Sequence, residues 1–153
     1  MLQRFETFVT GITTCYKCIQ RIKSMEMTEF GLKGAHVMCL FFLHHNPEGL
    51  TATQLCQLCE EDKAAISRTV ALLQEKGYVE AADRRYRAAL HLTEDGQAIA
   101  RRIDCLIARW VELGSTGVPE EDRAAFYRAL EIIAGNLHEA VSRGKGFSLT
   151  GEG

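Results

Sequence analysis

Asp62-Lys63-Ala64-Ala65-Ile66-Ser67-Arg68-Thr69-Val70-Ala71-Leu72-Leu73-Gln74-Glu75-Lys76-Gly77 is the stretch on which the fold turns. Ile66, Val70 and Leu73 recur at helical spacing and make one apolar stripe, while Lys63, Ala64, Ser67 and Arg68 share the other side. Asp62 suits the N-cap. Lys76 suits the negative end of the helix dipole, and Gly77 suits the residue just past the end. The outward face is small, polar and basic. Such a face lets a helix backbone approach a phosphate ladder and still present donors long enough to reach base edges in a major groove.

On the N-terminal side, Thr51-Ala52-Thr53-Gln54 has the form of a capping box, in which the threonine hydroxyl and the glutamine amide satisfy backbone donors at a helix start. Leu55 and Leu58 are expected to face inward, and Glu60-Glu61-Asp62 to make a short polar turn. After Gly77 the period changes. Tyr78-Val79-Glu80 predicts a strand, Ala81 to Arg87 a charged loop, and Ala88-Ala89-Leu90-His91-Leu92 a returning strand, with Arg84, Arg85 and Arg87 near the tip. Helix, tight turn, helix and basic hairpin together make a winged helix-turn-helix.

Helices flank this module on both sides. Phe5, Phe8, Val9, Ile12, Tyr16, Ile19 and Ile22 predict a long amphipathic first helix that ends around Ser24 to Phe30. Its stripe is too long for the small module to cover, so it is expected to pack on the C-terminal helices and a second chain. A second helix over roughly Leu32 to His45 is apolar on nearly all sides and reads as central, and Asn46-Pro47-Glu48-Gly49 breaks it. Thr93 is the expected N-cap of a long helix striped by Ile99, Ile103, Leu106, Trp110 and Leu113. Pro119 and the acids Glu120, Glu121 and Asp122 open a last helix with Phe126, Leu130, Ile133 and Leu137 on one face. The fold class is therefore mainly α with a small β-hairpin wing: a winged helix-turn-helix plus a helical dimerisation arm. Residues 1–143 read as one domain, with 32–93 as the winged core, 1–30 and 94–143 as dimerisation helices, and the glycine-rich 144–153 as a flexible tail.

Composition sets the outer limits. A chain of 153 residues, 46% hydrophobic and 25% charged, is long enough for one domain with a modest core and ordinary for a globular protein. No apolar run approaches the roughly 20 residues that span a bilayer, and Met1 to Thr10 lacks the basic start and small-residue cleavage site of a secretory signal, so a cytoplasmic protein is expected. The net charge of −2 counts at first against a nucleic-acid partner. Distribution decides, because phosphate attraction decays over about 10 Å at moderate salt. Lys63, Arg68, Arg84, Arg85 and Arg87 gather in the reading module, whereas acids gather at Glu60-Glu61, Glu94-Asp95 and Glu120-Glu121-Asp122.

Leu50-Thr51, Gln54-Leu55, Asp62-Lys63, Ser67-Arg68, Val70, Leu73, Lys76-Gly77-Tyr78-Val79, the arginine-bearing wing and Leu92-Thr93-Glu94-Asp95-Gly96 occur in the order of one family. The chain resembles the MarR family (multiple antibiotic resistance regulators) of bacterial transcription regulators over nearly its whole length, the last several residues excepted. The resemblance implies an obligate homodimer. Its two recognition helices would enter successive major grooves of a pseudo-palindromic operator in double-stranded DNA, each wing reaching an adjacent minor groove. Arg68 and Lys63 are then the candidates for base or phosphate contacts, Ser67 and Thr69 for phosphates, Ala64 and Ala65 for close approach or a thymine methyl, and Thr51 for the start of the preceding helix. Asp83-Arg84-Arg85 has the composition of the family's wing tip but, counted back from Leu92-Thr93, lies one residue further away than is usual. That leaves Arg84, Arg85, Tyr86 and Arg87 all open for the tip.

Six cysteines in a reducing compartment do not read as a disulfide framework. Cys15-x-x-Cys18 and Cys56-x-x-Cys59 have half-site spacing, but on helices this puts sulfurs on one face without the turn of a zinc knuckle, so small buried hydrophobes are expected and no metal. The resemblance adds thiol sensing through a cysteine near the start of the chain, which makes Cys15 and Cys18 redox candidates. It also adds an effector cavity between arm and reader for a small aromatic or amphipathic molecule, with His36 and Cys39 as lining candidates. His44-His45 is expected to cap carbonyls at a helix end. The functional expectation is a sequence-specific, homodimeric regulator without cofactor, a repressor released by an effector. The alternatives are a thiol- or metal-responsive regulator of the same fold and a winged-helix protein-interaction module. No nucleophile-base pair, phosphate loop or zinc-hydrolase motif points to an enzyme.

Overall fold

The computed structural model describes residues 2–82 and 88–143. The expectations for the wing tip, Arg84, Arg85 and Arg87 included, and for the tail at 144–153 lie outside the described residues. Among the described residues, six α-helices run in the order α1 (Leu2–Met27), α2 (Gly34–His44), α3 (Ala52–Cys59), α4 (Lys63–Glu75), α5 (Glu94–Gly114) and α6 (Glu120–Ser142), with strands β1 (Val79–Ala81) and β2 (Leu90–Leu92) between α4 and α5. None of the helices is long and apolar enough to cross a membrane. The chain groups into two compact units, Met1–Arg109 and Trp110–Gly153.

The first unit holds the core, built around α2. Val37, Cys39, Leu40 and Leu43 of α2 are buried with Leu55 of α3, Ile66 and Leu73 of α4, Val79 and Leu90 of the strands, and Ile103 of α5. Met27, the last residue of α1, also enters this core, whereas residues 2–21 of α1 are exposed along their length. The junction is a 3-10 turn at Thr28–Phe30 closed by Gly31, whose φ of 63° is a conformation a side chain would strain. At the far end of α2, His44 Nδ1 lies 2.7 Å from Gln97 Oε1, and His45 Nε2 lies 3.1 Å from Asp104 Oδ2. The two histidines thus tie α2 to α5 by their side chains.

Gly34 opens α2 later than the apolar pattern predicted, and the reason is a local cap. The backbone N–H of Lys33 donates to His36 Nδ1 at 2.8 Å, so the third residue of the helix reaches back to satisfy the residue that precedes it. This bond needs the neutral imidazole. Partial burial, and then the cations of Lys33 and Lys76, hold the His36 pKa below the ordinary histidine value. Unfolded, His36 takes up its proton near pH 6.5; folded, it does so only at lower pH. The unfolded state therefore binds more protons in between, and stability falls as pH falls through that window. His36→Gln keeps a capping acceptor but does not titrate. Urea midpoints should drop more for the wild type than for this variant between about pH 7.5 and about pH 5.5; equal drops would refute the linkage.

The sheet is one antiparallel pair, with Val79 opposite Leu92 and Ala81 opposite Leu90. Leu50, just before α3, adds a single bridge to it: Leu50 N–H donates to Leu90 O at 3.1 Å, and Leu90 N–H returns to Leu50 O at 2.9 Å. A one-residue bridge has no period, which is why alternation found only two strands. α5 begins against the base of this wing. Thr93 Oγ1 donates to Gly77 O at 2.6 Å and accepts from Gly96 N–H at 3.1 Å, so the expected N-cap also pins the start of α5 to the end of α4.

In the second unit α6 has no buried residue among those described. Of the expected apolar face, Phe126, Ile133 and Leu137 are exposed and Leu130 is half-buried; Leu113 near the end of α5 is exposed as well. Arg123 pairs with Glu120 within the first turn and donates to Ser115 Oγ at 3.2 Å, which fastens the start of α6 to the preceding loop.

Candidate nucleic-acid interface

α3, its turn and α4 are joined by consecutive caps. Thr51 Oγ1 accepts from Gln54 N–H at 3.3 Å, while Thr51 N–H donates to Gln54 Oε1 at 2.8 Å, completing the predicted box. Thr51 is thus committed to capping α3, and Thr53 beside it is exposed. α3 ends on Glu60 at φ 53°, the left-handed region, with Glu61 N–H donating back to Cys56 O at 3.1 Å. Asp62 then starts α4 by accepting from Ala65 N–H at 2.7 Å. α4 stops in the same manner: Gly77 N–H reaches Gln74 O at 2.9 Å and Tyr78 N–H reaches Leu73 O at 2.9 Å, with Gly77 at φ 74°. Side-chain caps at the starts and backbone hydrogen bonds at the ends therefore set both helices and the turn between them, which fixes the direction of α4 relative to α3.

α4 presents Lys63, Ala64, Ser67 and Arg68 to solvent on one exposed face, with Ala65 half-buried at its margin. Arg68 has no carboxylate partner among the described residues. Thr69 corrects the sequence reading. It is only 5% exposed, because Ile66, Thr69, Val70 and Leu73 together make the inward stripe and position 69 is one turn from Ile66. So buried a side chain belongs to the inner face of α4 and not to the exposed one. Leu58 is a second correction: it is 42% exposed, and Cys56 and Cys59 flank Leu55 on the inward side of α3 in its place.

The other candidates are dispersed. Cys15 and Cys18 are exposed on α1. His36 serves the cap of α2, and Cys39 is fully buried in the core with its sulfur 3.8 Å from that of Cys59. Sequence reasoning paired cysteines by their spacing along a helix and so missed this contact between helices. A cysteine at a core position of α2 and another on the inner face of α3 was the available signal. Among the described residues no three His, Cys, Asp or Glu side chains converge to hold a metal ion.

A capped helix pair with an exposed basic face and a hairpin behind it defines a winged helix-turn-helix protein. The model of the MarR family matches residues 30–86, the segment that runs from the turn after α1 into the wing. Solved structures extend the likeness to the whole frame. The crystal structure of MarR is 26% identical, covers 90% of this chain and 94% of its own, and superposes with a TM-score of 0.71. A MarR-family transcriptional regulator from Listeria monocytogenes, solved in complex with a 26mer DNA, is 19% identical, with 92% and 97% coverage and a TM-score of 0.81. The MarR protein from Peptoclostridium difficile is 19% identical, with 87% and 88% coverage and a TM-score of 0.78. No curated protein sequence matches. The chain thus has the fold of a MarR-family transcriptional regulator.

Proposed function

We propose that the protein is a homodimeric, sequence-specific DNA-binding transcription regulator that represses its target until a small aromatic or amphipathic effector releases it. The observation that carries this reading is the outer face of α4. It is basic and stepped with small residues, it is capped at both ends, and it is held from behind by Ile66, Thr69 and Leu73, so its outer side chains face solvent on a fixed support. The Listeria monocytogenes neighbour, solved on a duplex, supports DNA as the partner. Lys63, Ser67 and Arg68 would contact bases and phosphates, with Ala64 and Ala65 allowing the helix backbone close. Thr51 and the arginines of the wing, Arg84, Arg85 and Arg87, would extend the footprint along the backbone and into the minor groove.

Dimerisation is supported by surface that a single chain leaves uncovered. Phe5 is 66% exposed, and Phe8, Val9, Ile12, Tyr16 and Ile19 continue its face along α1. Ile132, Ile133, Leu137 and Val141 expose a comparable series on α6. Helices of this length with bare apolar faces are covered in solution, and a second copy has the matching surface. Selection of duplexes from a random pool, followed by fluorescence anisotropy, tests the reading. A two-fold-related motif should be recovered, with affinity that falls steeply as salt rises, by roughly 0.9 logarithmic units per phosphate contact for each tenfold rise in salt. Phe5→Asp with Ile12→Asp should sediment as a monomer and lose that binding. An enriched pool without symmetry, or a wild-type monomer, would count against the reading.

A further inference from the structure

We propose that Cys39 and Cys59 are a peroxide-oxidised thiol pair whose disulfide, joining α2 to α3, lowers the affinity of the reading module for DNA. The two sulfurs lie 3.8 Å apart, in contact and unbonded, on helices that are both packed into the core. A disulfide requires about 2.05 Å between them, so only a short further approach separates the thiol form from the bonded one.

The two thiols differ in the way such a pair requires. Cys59 is half-buried at the end of α3, where a small oxidant can reach it; Cys39 is fully buried, where it cannot. Lys23, at the C-terminal end of α1, brings a cation within electrostatic reach of Cys59. The two sulfurs share a hydrogen bond in which either can donate; with the Cys39 thiol donating, that bond lowers the Cys59 pKa, and the Lys23 cation adds to it against partial burial and the Glu61 carboxylate, which raise it. The same hydrogen bond, together with burial, pushes Cys39 up and keeps it protonated. Cys59 is therefore the attacking thiolate and Cys39 the resolving thiol.

The reaction balances with a hydroperoxide as the oxidant. The Cys59 thiolate attacks one peroxide oxygen, the O–O bond breaks, and the departing oxygen takes a proton and leaves as water or alcohol. Cys59 becomes a sulfenic acid. The Cys39 sulfur then gives up its proton and attacks the Cys59 sulfur; the S–O bond breaks and a second molecule leaves as water. One peroxide gains two electrons, and two thiols lose them to form one disulfide.

The link falls where the module is aimed. Cys39 sits in the middle of the most buried helix, so the approach is taken up at the end of α3. There Glu60 already occupies a left-handed conformation, and Asp62 begins α4 two residues later. A shift at Cys59 thus re-aims the basic face of α4. This effect on DNA rests on the function proposed above, whereas the disulfide itself does not.

The test uses the reduced chain treated with stoichiometric hydrogen peroxide, then unfolded in denaturant in the presence of an alkylating agent. No lysine or arginine separates the two cysteines between Lys33 and Lys63, but Glu48 does, so cleavage after glutamate frees Cys39 from the peptide that carries Cys56 and Cys59. Mass spectrometry should find these two peptides linked before reduction, in the wild type and in Cys56→Ser but not in Cys59→Ser. In Cys39→Ala the sulfenic acid should persist and be trapped by dimedone. Should Cys39→Ala fold poorly, Cys59→Ser decides alone. Oxidation should weaken binding to the selected duplex by about tenfold or more, and a thiol reductant should restore it. A wild type in which Cys39 stays alkylatable overturns the pair. A linked protein that binds DNA as tightly as the reduced one overturns its regulatory role. If the reduced protein binds no DNA, the function proposed above fails, and the mass measurement still decides whether the pair exists.

Discussion

Gly96→Ala should unfold the protein at a markedly lower temperature than the wild type. A methyl group at this position would lie 1.9 Å from the carbonyl oxygen of Tyr78 and 2.9 Å from its carbonyl carbon. The obstacle is backbone, and it cannot step aside, because the same carbonyl accepts from Thr93 N–H at 3.1 Å while Tyr78 N–H is held by Leu73 O. Relief requires the first turn of α5 to lift from the base of the wing, which would break the Thr93 hydroxyl contacts to Gly77 O and Gly96 N–H. Overpacking of this kind costs about 3 kcal/mol, and in a chain of this size that lowers the melting temperature by roughly 6–12 °C. Gly114→Ala is the control: its added methyl meets nothing within 4 Å, and melting should stay within about 2–4 °C of the wild type. Calorimetry on both variants checks the pair, and equal melting would show that the wing base yields more readily than its hydrogen bonds imply.

Gly96 also illustrates what could be read from the chain alone. Leu92-Thr93-Glu94-Asp95-Gly96 identified a helix start with its cap, and Thr93 does cap α5. That Gly96 must be small depends on where the Tyr78 carbonyl lies in space, which no periodicity encodes. The caps at Thr51 and Asp62 and the end at Gly77 were legible because each is made by residues at most a few positions apart. The inner and outer faces of α4 were legible except at Thr69, where polarity suggested solvent and helical position dictated the core. The Leu50 bridge and the Cys39–Cys59 contact were not legible, since each joins residues far apart in sequence. The exposed faces of α1 and α6 were visible as stripes, yet a stripe does not state what covers it.

Arg68→Ala is expected to have the largest effect on DNA binding of any single change on α4. Arg68 stands in the middle of the exposed face, one turn from Ala64 and adjacent to Ser67, and among the described residues it has no carboxylate to compete for its guanidinium. A guanidinium offers a planar pair of donors that fits a guanine edge or a phosphate, which a lysine ammonium cannot reproduce. Its loss should weaken binding to the selected duplex by about tenfold to a hundredfold, a cost of roughly 1.4–2.8 kcal/mol. The two contact types separate in the same titration. A base contact relaxes the preference at one position of each half-site and leaves the salt dependence almost unchanged. A phosphate contact weakens all sequences alike and reduces the salt slope by about one. Thr69→Val provides the contrast that the buried stripe demands, changing thermal stability but not the affinity or the salt slope of the folded protein. Anisotropy titrations at three salt concentrations on Arg68→Ala, Arg68→Lys and Thr69→Val would decide it. If Thr69→Val weakened binding as much as Arg68→Ala, the assignment of inner and outer faces on α4 would be reversed, and with it the reason for regarding this helix as the reader.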